Sequence, residues 1–310
     1  MPVRVSTLSA SSKLGMDVFV PVNGKAVRFA VEGDLFEDDR AAKLKIFQFP
    51  KVLIRASEED QYRAYIEAAM NEAETNAKLG MGDRTQAVAA GTETALQDII
   101  EKPQDRAVYE GSVKKFERFG HFLKNVDGSF REVLRQMGTK EGDYVFHGVQ
   151  TAALSMLLGD ALGLTADAKR RNSLMTGCFL HDLALEQAEV PQMDHAKMDA
   201  KQMEKWKKHP MEGATLFQEK DYVDRLVLTI ILQHEERPNG SGFPKGMLGK
   251  EMDPLAVVVS LVNCFDHHAT RAEGDKKKAL QSFMTGEMGV YDLTMMQKLQ
   301  ELVLKHALPA

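Results

Sequence analysis

The chain has 310 residues, 44% of them hydrophobic and 27% charged, the balance of a soluble globular protein long enough for one large or two ordinary domains. Its net charge of −5 argues against a surface built to hold a nucleic-acid polymer, which calls for a basic face, but allows a small anion held by a few local cations. The longest apolar run, residues 254–262, is too short to span a bilayer, and the opening MPVRVSTLSASSKLGMDVFVPV lacks the basic head and apolar core of a signal peptide. A cytoplasmic protein without membrane association is expected.

Residues 3–55 show strand-like alternation. Residues 17–22 and 25–31 are predicted strands joined by Asn23-Gly24, a two-residue hairpin signal. Residues 45–56 read as one or two further strands interrupted at Pro50. Ser57 is the expected N-cap of a helix through YRAYIEAAMNEAE, with Asp60 adding negative charge to its first turn. After the break Leu79-Gly80-Met81-Gly82, helix dominates, with a second break near Pro103. The fold class expected is α+β: a small α/β module over 1–85, a helical connector over 86–140 and an all-α bundle over 141–310. Two cysteines, Cys178 and Cys264, lie in apolar helical runs without the spacing of a thiolate metal site and read as reduced core thiols.

The bundle carries dispersed metal-ligand types. His181-Asp182 ends the run SLMTGCFLHDL. Neighbours on a helix point about 100° apart, so the imidazole can ligate one cation while Asp182 bridges to a second. His147 lies in a helical run with Asp143 four residues earlier on the same face. His209 precedes Pro210, the order of a helix opening. His234 closes RLVLTIILQHEE. Asn263 and Asp266, three apart, share one side of VVVSLVNCFDHHAT, with His267 a weaker candidate; His121, His195 and His306 fit no spacing. Each of these alone reads as an ordinary core or capping side chain, and only their order gives the set weight. Imidazole and carboxylate donors suit iron, manganese, zinc or nickel, and paired cations can hold a phosphodiester and generate hydroxide beside it. Gly240, Gly242 and Gly246 mark either a loop held close to a ligand or partner, or a connector shaped by glycine and proline.

The order H…HD…HPxxG…HE…GSGFP…ATR, over roughly residues 141–283, resembles the HD-GYP family. These are helical HD-superfamily proteins that hydrolyse cyclic di-GMP with two or three metals, commonly iron or manganese. The loop NGSGFPKGMLGKEM is the most specific part. The resemblance implies an HD-type helical bundle with His147, His181, Asp182, His209 and His234 as metal ligands and Asp182 as the catalytic bridge. It adds Asp143 as an acidic ligand, and Asn263 or Asp266 for the last acidic ligand. It places Arg271 and Lys276 near phosphate contacts, with Gly242, Phe243 and Pro244 in the substrate loop. Three departures stand out. Leu185 replaces a phosphate-contacting lysine, Gln233 falls on the first histidine of H-H-E, and Phe243 replaces the tyrosine. They favour two metals over three and slow turnover, so Leu185→Lys is expected to raise the rate. The implied function is a metal-dependent phosphodiesterase acting on cyclic di-GMP through two transition-metal ions, iron or manganese. The alternative is a degenerate regulatory module that binds cyclic di-GMP or docks diguanylate cyclase (GGDEF-type) domains. A homodimer is compatible with both. The GSGFP loop argues against a nucleotide phosphohydrolase of the wider superfamily.

Overall fold

The structure, a computed structural model, describes residues 1–8, 13–36, 44, 51–135, 144–188 and 198–307. Asp143, His195 and residues 45–50 of the predicted strand region lie outside the described residues. Two compact units divide the chain, Met1–Thr94 and Ala95–Ala310. The architecture is the expected α+β, a small antiparallel sheet near the N-terminus followed by a helical domain.

In the first unit the strands β1 (Pro2–Arg4), β2 (Val18–Val22), β3 (Lys25–Ala30) and β4 (Lys51–Leu53) form a sheet of order β1-β4-β2-β3. The β2–β3 hairpin closes at Val22↔Lys25 through Asn23 (φ 50°) and Gly24 (φ 74°). Two left-handed residues give a turn whose twist matches that of the flanking strands. Helix α1 (Glu59–Thr75) buries Tyr62, Ile66, Met70 and Ala73. Ser57 does not cap it. Ser57 lies inside a short 3-10 turn, Ala56–Glu58, because the Glu58 carboxylate accepts the Arg55 amide at 3.3 Å and the Arg55 guanidinium at 2.7 Å. That closure delays the helix to Glu59.

Helix α2 (Met81–Glu101) ends just before Pro103. Helix α3 (Arg106–Asn125) then starts on Asp105, whose carboxylate accepts the Ala107 and Val108 amides. There follow α4 (Ser129–Arg135), α5 (Tyr144–Ala161), α6 (Ala168–Leu180), α7 (Leu183–Ala188) and α8 (Ala200–Thr215). The chain continues through α9 (Arg225–Gln233), α10 (Pro254–Arg271), α11 (Lys276–Gly286) and α12 (Leu293–Ala307). Helix α6 packs against α3, α5 and α9, while α10 packs against α5 and α11. Leu154, Leu158, Leu174, Ile230, Val258 and Phe265 make the dry centre. Helices α6 and α9 cross at Gly177, where a Cβ would come within 2.8 Å of Ile230. This close approach sets the C-terminal ends of the two helices side by side. Both cysteines are free and buried. Among the described residues no helix is long and apolar enough to cross a membrane.

Candidate metal centre

Four helices deliver one histidine each to a single point. His147 lies in the first turn of α5, His181 and His234 are the C-caps of α6 and α9, and His209 sits within α8. All four are at most 2% exposed. Asp182 stands between them. Its Oδ2 lies 3.6 Å from His147 Nε2 and 3.5 Å from His181 Nε2, while its Oδ1 lies 3.3 Å from His209 Nε2 and 3.4 Å from His234 Nε2. One carboxylate therefore faces two imidazole pairs, one pair per oxygen. The sets His147–His181–Asp182 and Asp182–His209–His234 each have the spacing of a metal-binding triad.

The expected helix opening at His209-Pro210 is not found. The helix starts after its N-cap Asp199, whose Oδ1 accepts the Gln202 amide at 2.8 Å while the Asp199 amide donates to Gln202 Oε1 at 3.0 Å. That reciprocal cap, ten residues upstream of His209, outweighs the local proline, which costs an interior helix one amide donor.

The hydrogen bonds behind the imidazoles define their front. His181 Nδ1 lies 2.6 Å from the Cys178 carbonyl, His209 Nδ1 2.5 Å from that of Trp206, and His234 Nδ1 2.8 Å from that of Ile231. His147 Nδ1 lies 2.5 Å from Asp266 Oδ2. A carbonyl or an ionised carboxylate can only accept, so each Nδ1 carries the hydrogen and each ring turns Nε2 forward, with a lone pair there wherever no proton sits on it. Those Nε2 atoms meet at 3.0 Å for His147 and His181 and at 2.8 Å for His209 and His234. A proton or a metal cation has to occupy each gap. Burial, against the pull of Asp182, depresses the His181 pKa to about 3, which keeps that ring neutral. Burial opposes charge on Asp182 too, but His181, His209 and His234 outweigh it and hold its pKa well below the usual carboxylate range. Imidazoles around an ionised carboxylate are the donor set of iron, manganese, zinc or nickel, so the residues present fit the cations.

Of the α10 candidates, Asp266 sits behind His147 rather than in front of it. Burial resists charge on His147, and Asp266 overcomes this and raises its pKa. Asn263 is 2% exposed, its Nδ2 reaches Glu235 Oε1 at 3.3 Å, and its Oδ1 has no hydrogen-bond partner among the described residues. A buried oxygen without a hydrogen-bond partner is a candidate donor for a cation. Gln233 falls on the first histidine of H-H-E. In the structure Gln233 Oε1 instead accepts the Asp253 amide at the start of α10, and Glu235 Oε1 stands 3.9 Å from His234 Nε2. Burial, against the pull of His234, raises the Glu235 pKa to about 7. Glu235 was missed because an acidic residue past a helix end ordinarily faces water.

The substrate-side candidates differ in their surroundings. Arg271 is exposed, and its Nε bonds the His267 carbonyl of its own helix. Lys276 is buried, with Nζ 3.2 Å from the Gly274 carbonyl, and burial lowers its pKa to about 8 against the pull of Asp266. The glycine-rich loop does approach the centre. Gly242 lies so close to the chain at Glu236 and Arg237 that a Cβ would collide with the Arg237 nitrogen. Buried Glu236 accepts the Lys245 amide at 2.6 Å and the Met247 amide at 2.8 Å. These contacts, with Pro244 next along the chain, set the Phe243 ring 4.7 Å from that of Trp206 and 6.3 Å from that of His209. Leu185 and Trp206 form an apolar cluster there with Phe243, Met198 and Met203.

A third set of metal-ligand types, Cys264, His268 and Glu287, lies on α10 and at the end of α11. It already holds a cation: the Arg237 guanidinium reaches Cys264 Sγ at 3.3 Å and Glu287 Oε2 at 2.9 Å. Burial pushes the Cys264 thiol up to about 12, so this cluster is a neutralised internal network.

No curated protein matches the chain. The family profile for the HD domain matches residues 149–294. Among solved structures the chain is similar to Bd1817, an HDG"Y"P protein from Bdellovibrio bacteriovorus, with 29% identity over 98% of this chain and 99% of that one and a TM-score of 0.87. The domain match, this likeness and the paired histidine–aspartate triads are those of a metal-dependent HD-type hydrolase. With His147, His181, His209 and His234 in the family's order and phenylalanine at position 243, the chain belongs to the HD-GYP family as a member without the GYP tyrosine.

Proposed function

We propose that the protein is a phosphodiesterase that opens cyclic di-GMP at a binuclear centre of iron or manganese. The observation that carries this reading is the placement of one imidazole pair at each oxygen of Asp182. Bound there, the cations supply positive charge against phosphoryl oxygens and make water a stronger acid. Asp182 holds both halves of the site in one frame. The Nδ1 bonds of the four histidines fix the rings so that no reorganisation is needed on binding. The buried walls keep bulk water out, which strengthens every charge interaction at the reacting phosphate. In the reaction, water oxygen bonds to phosphorus, the ester oxygen leaves with a proton, and the ring opens to a linear dinucleotide.

A second reading rests on the apolar cluster. Leu185 and Phe243 put hydrocarbon where the resemblance implies a cation and a phenol, which suits a module that binds cyclic di-GMP, or docks GGDEF-type domains, without turnover. The two readings separate in one assay. Protein loaded with iron or manganese under reducing conditions is expected to convert cyclic di-GMP to linear dinucleotide or GMP. Fully metallated protein that binds the dinucleotide and yields no product contradicts the first reading and supports the second.

A further inference from the structure

Three of the four histidines hold Nδ1 on the carbonyl three residues back, and that geometry depends on the carbonyl being turned away from the helix ladder. For His181 and His234 the helix end does this. Cys178 and Ile231 lie in the last turns of α6 and α9, where carbonyls have no donor within the helix. His209 has no such position. It lies in the interior of α8, where the Trp206 oxygen would ordinarily accept the amide of residue 210. Residue 210 is proline. It has no N–H, and its ring pushes the carbonyl four residues back away from the helix axis. The competing bond does not exist, and His209 Nδ1 takes the Trp206 oxygen at 2.5 Å.

We propose that Pro210 is a positioning residue. By withholding an amide it leaves the Trp206 carbonyl to His209, fixes the Nδ1–H tautomer and turns Nε2 toward Asp182 at 3.3 Å and His234 Nε2 at 2.8 Å. The inference rests on the binuclear reading for its purpose, but its geometry is independent of any substrate. A proline that merely kinks the helix would leave the tautomer untouched when replaced.

Nitrogen-15 NMR of the histidine rings in metal-free protein tests this. In the unmutated chain His181, His209 and His234 are expected to carry Nδ1–H, with one further proton shared across each Nε2–Nε2 gap. Pro210→Ala restores the competing amide, and the Nδ1–H to Nε2–H ratio at His209 is expected to fall about tenfold, the worth of one net hydrogen bond. His181 and His234 are internal controls and should not move. Manganese affinity at the His209–His234 half is expected to fall by roughly tenfold, the low end for losing the outer partner of a histidine ligand. An α-hydroxy acid at position 210 lacks the N–H without the ring and should keep the original pattern. The proposal is overturned if His209 stays Nδ1–H in folded Pro210→Ala, or if all three histidines shift together. A shift at His209 with the α-hydroxy acid overturns it as well. Absence of Nδ1–H at His209 in the unmutated protein overturns it whatever the variants do. Neither readout uses phosphodiester turnover, so failure of the phosphodiesterase reading leaves this test intact.

Discussion

Asp182→Ala is expected to give a folded protein that holds neither cation. Each of its two oxygens serves one imidazole pair, so a single substitution removes a donor from both halves of the site. Loss of an outer hydrogen-bond partner costs about 10–100-fold in metal affinity, and loss of the shared donor should exceed the upper figure. The fold loses an acceptor as well. The neighbouring histidines hold the Asp182 carboxyl well below the usual range, so the ionised group stabilises the folded state, and its removal should cost about 1–3 kcal/mol in metal-free protein. The metal signature is read on top of that loss. Metal at a hundred times its Kd stabilises the original protein by about 2.7 kcal/mol, and that increment vanishes in Asp182→Ala. His147→Ala should differ by sparing the His209–His234 half. Retention of both metals by Asp182→Ala would remove the bridge from the account.

Leu185→Lys is expected to destabilise the protein and lower its activity, the reverse of the expectation drawn from family resemblance alone. That expectation treated position 185 as an open place beside the phosphate. The structure shows Leu185 1% exposed and packed with Trp206, Met198, Met203 and Phe243. Losing a buried leucine and introducing an ammonium into this cluster should cost about 3–5 kcal/mol. At about 2–4 °C per kcal/mol for a domain of this size, the melting temperature falls by roughly 6–20 °C. Leu185→Met, which keeps the volume, should cost less than about 1.5 kcal/mol. Thermal melts of the two variants decide the matter. A Leu185→Lys variant as stable as the original and faster on cyclic di-GMP would show that the introduced ammonium reaches the site and that the apolar cluster is not closed.

Much of the fold was legible because local chemistry dictates it. Asn23-Gly24 demands a two-residue hairpin, and Pro103 with the Asp105 cap demands a helix break. The site was legible as an ordered set of histidines, because helix ends at His181 and His234 both terminate apolar runs. What the sequence hid lies in longer-range competition. The start of α8 was obscured because a reciprocal cap at Asp199 and Gln202 outweighs the nearer signal at Pro210. The pairing of Asp266 with His147 spans 119 residues and belongs to the packing of α5 against α10, which no local pattern encodes. Glu235 stands beside His234 while Gln233 turns to the start of α10, because the helix ends at Gln233 and the residues past it leave the helical surface. Position 185 is the instructive case: its identity was read correctly, its surroundings were not, and the surroundings set the sign of the mutational effect.

Anomalous diffraction from crystals grown with iron or manganese tests the central claim most directly. Two peaks are predicted, one against the Nε2 atoms of His147 and His181 and one against those of His209 and His234, with the Asp182 carboxylate between them. A single peak, or peaks remote from these four nitrogens in fully metallated protein, would contradict the binuclear account.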